Sequence, residues 1–243
     1  MPPAPIIELP SKTKINKSGI LLKQVFHDGV IPEGLLLEDL DEAWDTVNRF
    51  RAAHAYPMQK VRYGLRSMVR TQGASEVVSQ RLKRVPRIVR KLHRMGNSNL
   101  ARLEDIGGCR AVLKDGPELE RVRRHVERQW RGQLAREPRD YIATPKDIGY
   151  RAVHLVVRRD ERAIEVQLRT RGQQEWADAV EVADARLGLN LKDGVGPADM
   201  VEYFAVSGDV IYLREYGLPI DSTVLDRFEQ ARRAVIEAGY YTG

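Results

Sequence analysis

The sequence predicts an α+β fold, a mixed β-sheet core with helices packed on it and helical extensions at both ends, on three observations. Residues 150–155 (YRAVHL) and 164–170 (IEVQLRT) carry the two-residue period of strands. The apolar positions Val78, Leu82, Val85, Val89 and Leu92 recur at alternating spacings of four and three, the period of an amphipathic helix. Stretches of the two kinds alternate along the chain, an arrangement that buries helices against a sheet.

Taken in order, residues 1–16 are rich in Pro and Lys and are expected to form an extended arm. Residues 18–70 read as helices broken near Gly29 to Pro32 and at Tyr56-Pro57, a helical layer at the front of the molecule. From Glu76 the periodic helix begins, and Pro86 either starts a helix or kinks one, because it has no N–H for the carbonyl four residues back. Residues 103–114 form the next strand, where Gly107 and Gly108 open backbone geometries that can bulge it and re-aim Arg110. A helix follows over 117–130, then the two strands, then a helix over 171–187. Trp130 and Trp176 stand at helical positions as core anchors. Beyond Gly194 a second helical segment ends in Leu225, Phe228, Val235 and Ile236, a docking face for the core or for another subunit. The expected division is an arm and helical extension over 1–75, a catalytic core over 76–190 and a helical segment over 191–243, in one compact unit.

Composition narrows the partners. The formal charge of +6, from 40 Lys and Arg against 34 Asp and Glu, favours polyanionic ligands without separating nucleotides from nucleic acid. Cys109 is the only cysteine, which excludes an intramolecular disulfide and a thiolate metal cluster and suits a reducing compartment. The start has no apolar stretch of signal-peptide length, and no run approaches the ~20 apolar residues that span a bilayer, so a cytoplasmic protein with no membrane partner is expected.

The strand period assigns faces. Tyr150, Ala152 and His154 share one face, and Arg151, Val153 and Leu155 the other. In the second run Ile164, Val166 and Leu168 form an apolar back, leaving an acid, an amide and a guanidinium (Glu165, Gln167, Arg169) on a face not built for packing. Residues 79–94 (SQRLKRVPRIVRKLHR) hold seven Lys or Arg and no acid; in a helix running from Pro86, Arg87, Lys91 and Arg94 form a basic stripe suited to phosphates. Asp105 and Glu165 offer hard oxygen ligands of the kind magnesium takes. The plainer readings are a turn residue for Asp105 and a solvated strand position for Glu165.

Residues 139–154 (RDYIATPKDIGYRAVH) and 164–170, preceded by residues 104–113 (EDIGGCRAVL) and followed by residues 174–181 (QEWADAVE), resemble the synthetase domain of the RelA/SpoT alarmone-synthetase family, in that family's order. The resemblance covers residues 77–185. At the front, NKSG (16–19) and RAAHAYP (51–57) resemble a branch of short, single-domain members, several of which act as growth-arresting toxins.

The resemblance implies a nucleotidyltransferase-like synthetase core that transfers the pyrophosphate of ATP to a ribose 3′-hydroxyl, on guanosine nucleotides in most members and on the 3′ CCA end of tRNA in some toxic ones. It implies Asp105 and Glu165 as catalytic residues and ligands of Mg2+, with Glu165 also able to accept the acceptor's proton. It places Arg81 and Arg110 on the two faces of the ATP adenine and Lys83 and Lys91 at the donor phosphates, where Arg87 of the basic stripe is expected to join them. Tyr150 becomes the stacking platform for the acceptor base, with Arg139, Lys146, His154, Gln167 and Arg169 around the acceptor and its phosphates. His154 reads equally well as a satisfied core histidine. The sequence departs from the family at Arg84 and Arg87, where many members carry serines, and at Ile148, where an Asn commonly precedes the Gly-Tyr pair. His54 and Tyr56 receive no role. His27-Asp28 is read as a loop, because the family's hydrolase half needs a histidine further upstream and none of the five precedes His27.

Three functions compete. The first is an ATP-dependent pyrophosphokinase acting as a toxin on the tRNA 3′ end, restrained by a neutralising antitoxin protein. The second is the same chemistry on GDP or GTP to make an alarmone. The third is an inactive RNA-binding module that kept the fold. Arginine excess, Ile148 and the front end tilt the reading toward tRNA.

Overall fold

The computed structural model describes residues 8–74, 77–96 and 99–240. Three helices come first: α1 (Lys12–Phe26), α2 (Leu37–Ala52) and α3 (Ala55–Thr71). The chain continues through β1 (Val77–Leu82), α4 (Val85–Arg94), β2 (Gly107–Leu113), α5 (Gly116–Trp130), β3 (Arg139–Asp140), β4 (Val153–Arg159), β5 (Arg162–Thr170), α6 (Arg171–Leu187), α7 (Ala198–Glu215) and α8 (Ser222–Glu237). The strands form one mixed sheet in the order β1-β2-β5-β4-β3. β2 and β5 run parallel at its centre, and the other pairs are antiparallel. The fold is therefore α+β around a mixed sheet, as the alternation of patterns predicts.

Several expectations are corrected. Residues 1–7 of the expected arm lie outside the described residues, but α1 already begins at Lys12, where the Ser11 hydroxyl accepts the Lys14 N–H (3.2 Å) and caps the first turn. Glu76 also lies outside them, and the helix expected from there is a strand as far as Leu82. A spacing of four satisfies a strand as well as a helix, so Val78 and Leu82 fall on one face of β1 and pack on the sheet core. Helix begins only at Val85, with Pro86 in the first turn, where a missing N–H costs nothing. Tyr150 precedes its strand, in a turn closed by the Gly149 N–H donating to the Lys146 carbonyl (2.7 Å).

β2 is not bulged: Gly107 and Gly108 keep unbroken register with both neighbours. What Gly107 permits is close approach, since a Cβ there would lie 3.1 Å from Ile164 Cδ1. Of the expected C-terminal docking face, Val235 is buried against the core, whereas Leu225 and Ile236 remain exposed.

Three apolar clusters hold these elements. One face of the sheet (Cys109, Ala111, Leu113, Leu155, Val157, Ile164, Val166, Leu168) packs on α3 and α5, and Trp130 is buried there. α4 lies in a second cluster with α1 and α2, through Ile88, Val89 and Leu92 against Leu22, Val47 and Phe50. A third joins Ile148 and Trp176 to Met200 and Phe204 of α7, with the Trp176 indole N–H donating to the Phe204 carbonyl (2.8 Å). Each fully buried aliphatic side chain contributes about 1.5–3 kcal/mol. The opposite sheet face is left for polar groups. No helix of the described residues is long and apolar enough to cross a membrane.

Candidate active site

The pleat assembles the site. On β5 the back residues Ile164, Val166 and Leu168 are fully buried, which turns Glu165, Gln167 and Arg169 to the other face. Register brings Gly108 beside Glu165 and Arg110 beside Gln167 from β2, Arg81 beside Gly108 from β1, and His154 beside Gln167 from β4. The cavity over this face measures about 450 Å³ and is lined by Arg81, Lys83, Asp105, Arg110, Glu165, Gln167 and Arg169, with Ser79, Gln80, Glu181 and Lys192.

At one end, Asp105 stands just before β2 and is paired with the Lys83 ammonium and with Lys91 Nζ (2.6 Å). Burial pushes the Asp105 carboxyl up, but the two ammonium groups outweigh it and hold the group below the ordinary range. Burial lowers Lys83, and the Asp105 charge opposes that drop. Asp105 Oδ1 is buried without a hydrogen-bond partner among the described residues. A bare carboxylate oxygen beside a second carboxylate in one cavity suits a hard divalent cation.

In the same cavity, a chain of hydrogen bonds ends on Glu165. Arg169 Nη2 donates to the Tyr150 hydroxyl (2.8 Å), and the hydroxyl lies 2.6 Å from His154 Nε2. His154 Nδ1 is 3.1 Å from Glu165 Oε1, and the Gln167 amide donates to Glu165 Oε2 (2.8 Å). Burial would raise the Glu165 carboxyl, but the His154 hydrogen bond and charge prevail and bring it down to about 2. Arg110 is lowered by burial and by neighbouring Arg169.

The structure brings most of the expected residues together. Tyr150 is half-buried, with Arg169 Cζ 5.1 Å and Lys146 Nζ 5.3 Å from its ring centre. Arg139 sits on the edge strand β3 opposite His154, and Arg87 is exposed on α4 outside the cavity lining. The sequence reading missed Tyr141, whose ring meets His154 edge-on at 5.1 Å, and Glu181 and Lys192, which pair with each other. Tyr141 and Glu181 lie inside motifs that carry the family resemblance. Lys192 lies in a segment without periodicity, brought to the cavity by tertiary packing alone.

Residues 80–185 match the family model described as the region found in RelA/SpoT proteins. A curated relative, GTP pyrophosphokinase rsh of Brucella ovis, is 29% identical over 122 residues, covering 50% of this chain and 16% of that protein. The guanosine-3′,5′-bis(diphosphate) 3′-pyrophosphohydrolase of Borreliella burgdorferi is 26% identical over 157 residues, 63% of this chain and 23% of its own length. The chain thus spans under a quarter of either relative. Among solved structures, the small alarmone synthetase 1 of Bacillus subtilis bound to its product pppGpp superposes with a TM-score of 0.56 at 19% identity, covering 78% of this chain and 96% of that one. A GTP pyrophosphokinase family protein of Streptococcus pneumoniae gives 0.56 at 19% identity, covering 86% and 100%. The structural likeness shows a shared fold.

Proposed function

We propose that this chain, which carries a RelA/SpoT region over residues 80–185, is a pyrophosphokinase that moves the β,γ-pyrophosphate of ATP to a ribose 3′-hydroxyl. The observation that carries the reading is the cavity in which two low-titrating carboxylates, Asp105 and Glu165, face Arg81, Lys83 and Arg110. Phosphoryl chemistry asks mainly for positioning and charge stabilisation, and those groups supply both. Asp105 and Glu165 would hold Mg2+, which when bound neutralises the triphosphate. Arg81 and Arg110 would flank the adenine, while Lys83 and Lys91 would bind donor phosphates once released from Asp105. A carboxyl that titrates at about 2 is a weak proton acceptor, so Glu165 is better suited to holding the cation than to removing the acceptor's proton. Tyr150, held by Arg169 and His154, is a preset platform for the acceptor base, with Arg139 and Lys146 on its phosphate side.

For the acceptor we favour the tRNA 3′ end, in a growth-inhibiting role restrained by a neutralising protein in the cytoplasm. Ile148 supports this: it is buried under α7 beside Trp176 and Phe204, so no side-chain amide reaches the acceptor from that position. Exposed Arg84, Arg87 and Arg90 add positive surface outside the cavity for an extended polyanion. GDP or GTP is the second reading, favoured by the relatives named GTP pyrophosphokinase.

The test is transfer of label from the terminal phosphate of ATP, with magnesium, to deacylated tRNA, GDP, GTP or ATP offered separately. Label on tRNA alone supports the toxin, and label on guanosine nucleotides supports the alarmone synthetase. Label on none, with folding verified, supports the inactive binding module.

A further inference from the structure

Among the described residues, one cluster of metal-ligating side chains lies outside the cavity. His27, the cap residue just after α1, and Asp28 meet His93 in the last turn of α4. His93 Nδ1 is 2.8 Å from Asp28 Oδ1, while His27 Nδ1 is 3.6 Å from the same oxygen, beyond hydrogen-bond reach. One ligand atom from each residue falls within 4.8 Å of the others. Two bonds of about 2.0 Å at a tetrahedral angle need an atom separation of roughly 3.3 Å, so His93 Nδ1 has to move out and His27 Nδ1 in, each by about half an ångström or less, with the rings turned out of their stack so that both nitrogens aim at one point. Those rings stack at 3.8 Å, inclined by only 17°. Their side chains keep 32% and 50% of their surface exposed, so neither ring is locked in place.

The backbone favours a cation there as well. α1 and α4 both present their C-terminal ends, and the unpaired carbonyls of a helix C-terminus carry partial negative charge. Lys23 is the competing charge, with its Nζ 2.8 Å from Asp28 Oδ2, the other carboxylate oxygen. Asp28 Oδ1 faces the imidazoles.

We propose that His27, His93 and Asp28 form a zinc-class cation site, completed by water, that clamps α1 to α4. Two imidazoles with one carboxylate suit Zn2+ rather than magnesium, which takes oxygen ligands. The site is separate from the carboxylate pair in the cavity and does not depend on the proposed reaction. Its structural effect falls on α4, which also carries Lys91.

The experiment is calorimetric titration of the untagged, chelator-treated full chain with ZnCl2, alongside thermal melting with and without the metal. The expected result is one site, weakened at least tenfold in His93→Ala and in His27→Ala but kept in Asp105→Asn and Glu165→Gln. Zinc should raise the melting temperature of the parent chain and leave that of His93→Ala unchanged. Absence of binding, binding that survives both histidine variants, or binding lost with Glu165→Gln, which would place zinc on the His154–Glu165 pair, overturns the proposal. All three ligands are surface residues, so folding of the variants is expected and is verified by the same melts.

Discussion

His154 Nδ1 and Glu165 Oε1 are 3.1 Å apart, and this contact ties the carboxylate to Tyr150 and Arg169. The other ring nitrogen, Nε2, lies 2.6 Å from the Tyr150 hydroxyl, which accepts from Arg169. Glu165→Gln removes the carboxylate charge while keeping the shape, so pyrophosphate transfer is expected to fall by about 10³-fold or more, with circular dichroism unchanged. Labelled transfer at equal protein concentration checks it; retained activity removes Glu165 from the catalytic set.

The same carboxyl makes stability depend on pH. It titrates at about 2 when folded against its usual 4.5, so its contribution is fully present above pH 4.5 and is lost as pH falls through 2. The difference corresponds to about 3 kcal/mol. Denaturant melts of the parent chain and Glu165→Gln should therefore differ at pH 6 and converge near pH 2; a constant gap would place the cause elsewhere.

Tyr150 separates hydroxyl from ring. Tyr150→Phe strips His154 and Arg169 of a partner, costing about 1–3 kcal/mol of stability and lowering kcat, yet keeps the stacking surface. Tyr150→Ala should raise the acceptor KM as well, without changing the KM for ATP. Steady-state kinetics on both variants decides whether the ring is the platform.

Asp105→Asn leaves Lys83 and Lys91 facing each other without their counter-ion. A loss of about 1–3 kcal/mol is expected, the scale for leaving half-buried charged groups without their partner, together with loss of transfer. A fall in the Lys83 pKa should follow, because burial already lowers it and Asp105 is the charge opposing that drop. Amine-specific labelling against pH measures this, and an unchanged titration would contradict the pairing.

Gly208→Ala tests the packing behind Tyr150. A Cβ at residue 208 on α7 would lie 2.5 Å from the Gly149 carbonyl oxygen, and Gly149 itself has φ of +86°, a conformation L side chains rarely adopt. Overpacking of this kind costs about 1–3 kcal/mol and should displace the turn that presents Tyr150. Thermal melting together with the acceptor KM reports both effects.

Much of this was legible before any coordinates. The alternation at Ile164 to Arg169 gave both β5 and its polar face, because a strand buried on one side writes that burial into every second residue. Asp105, Arg81 and Lys83 were found by their place in motifs, since no periodicity singles out a loop carboxylate. β1 was misread because Val78 and Leu82 fit two periods, and pairing with β2 decides between them. Lys192 and the meeting of His27 with His93 depend on residues far apart in sequence, and local pattern carries no information about such encounters.

Glu165 stands on the central strand, with β2 and β1 on one side and β4 and β3 on the other. The groups read as donor ligands come from the first side and those read as acceptor ligands largely from the second. A substitution at either edge can then retune recognition of one substrate while leaving the other's binding intact, provided that Glu165 on the central strand and Asp105 before β2 are kept. With the proposed division of donor and acceptor groups, such a layout would let a lineage exchange acceptors by small steps along one border of the sheet, with the donor side undisturbed.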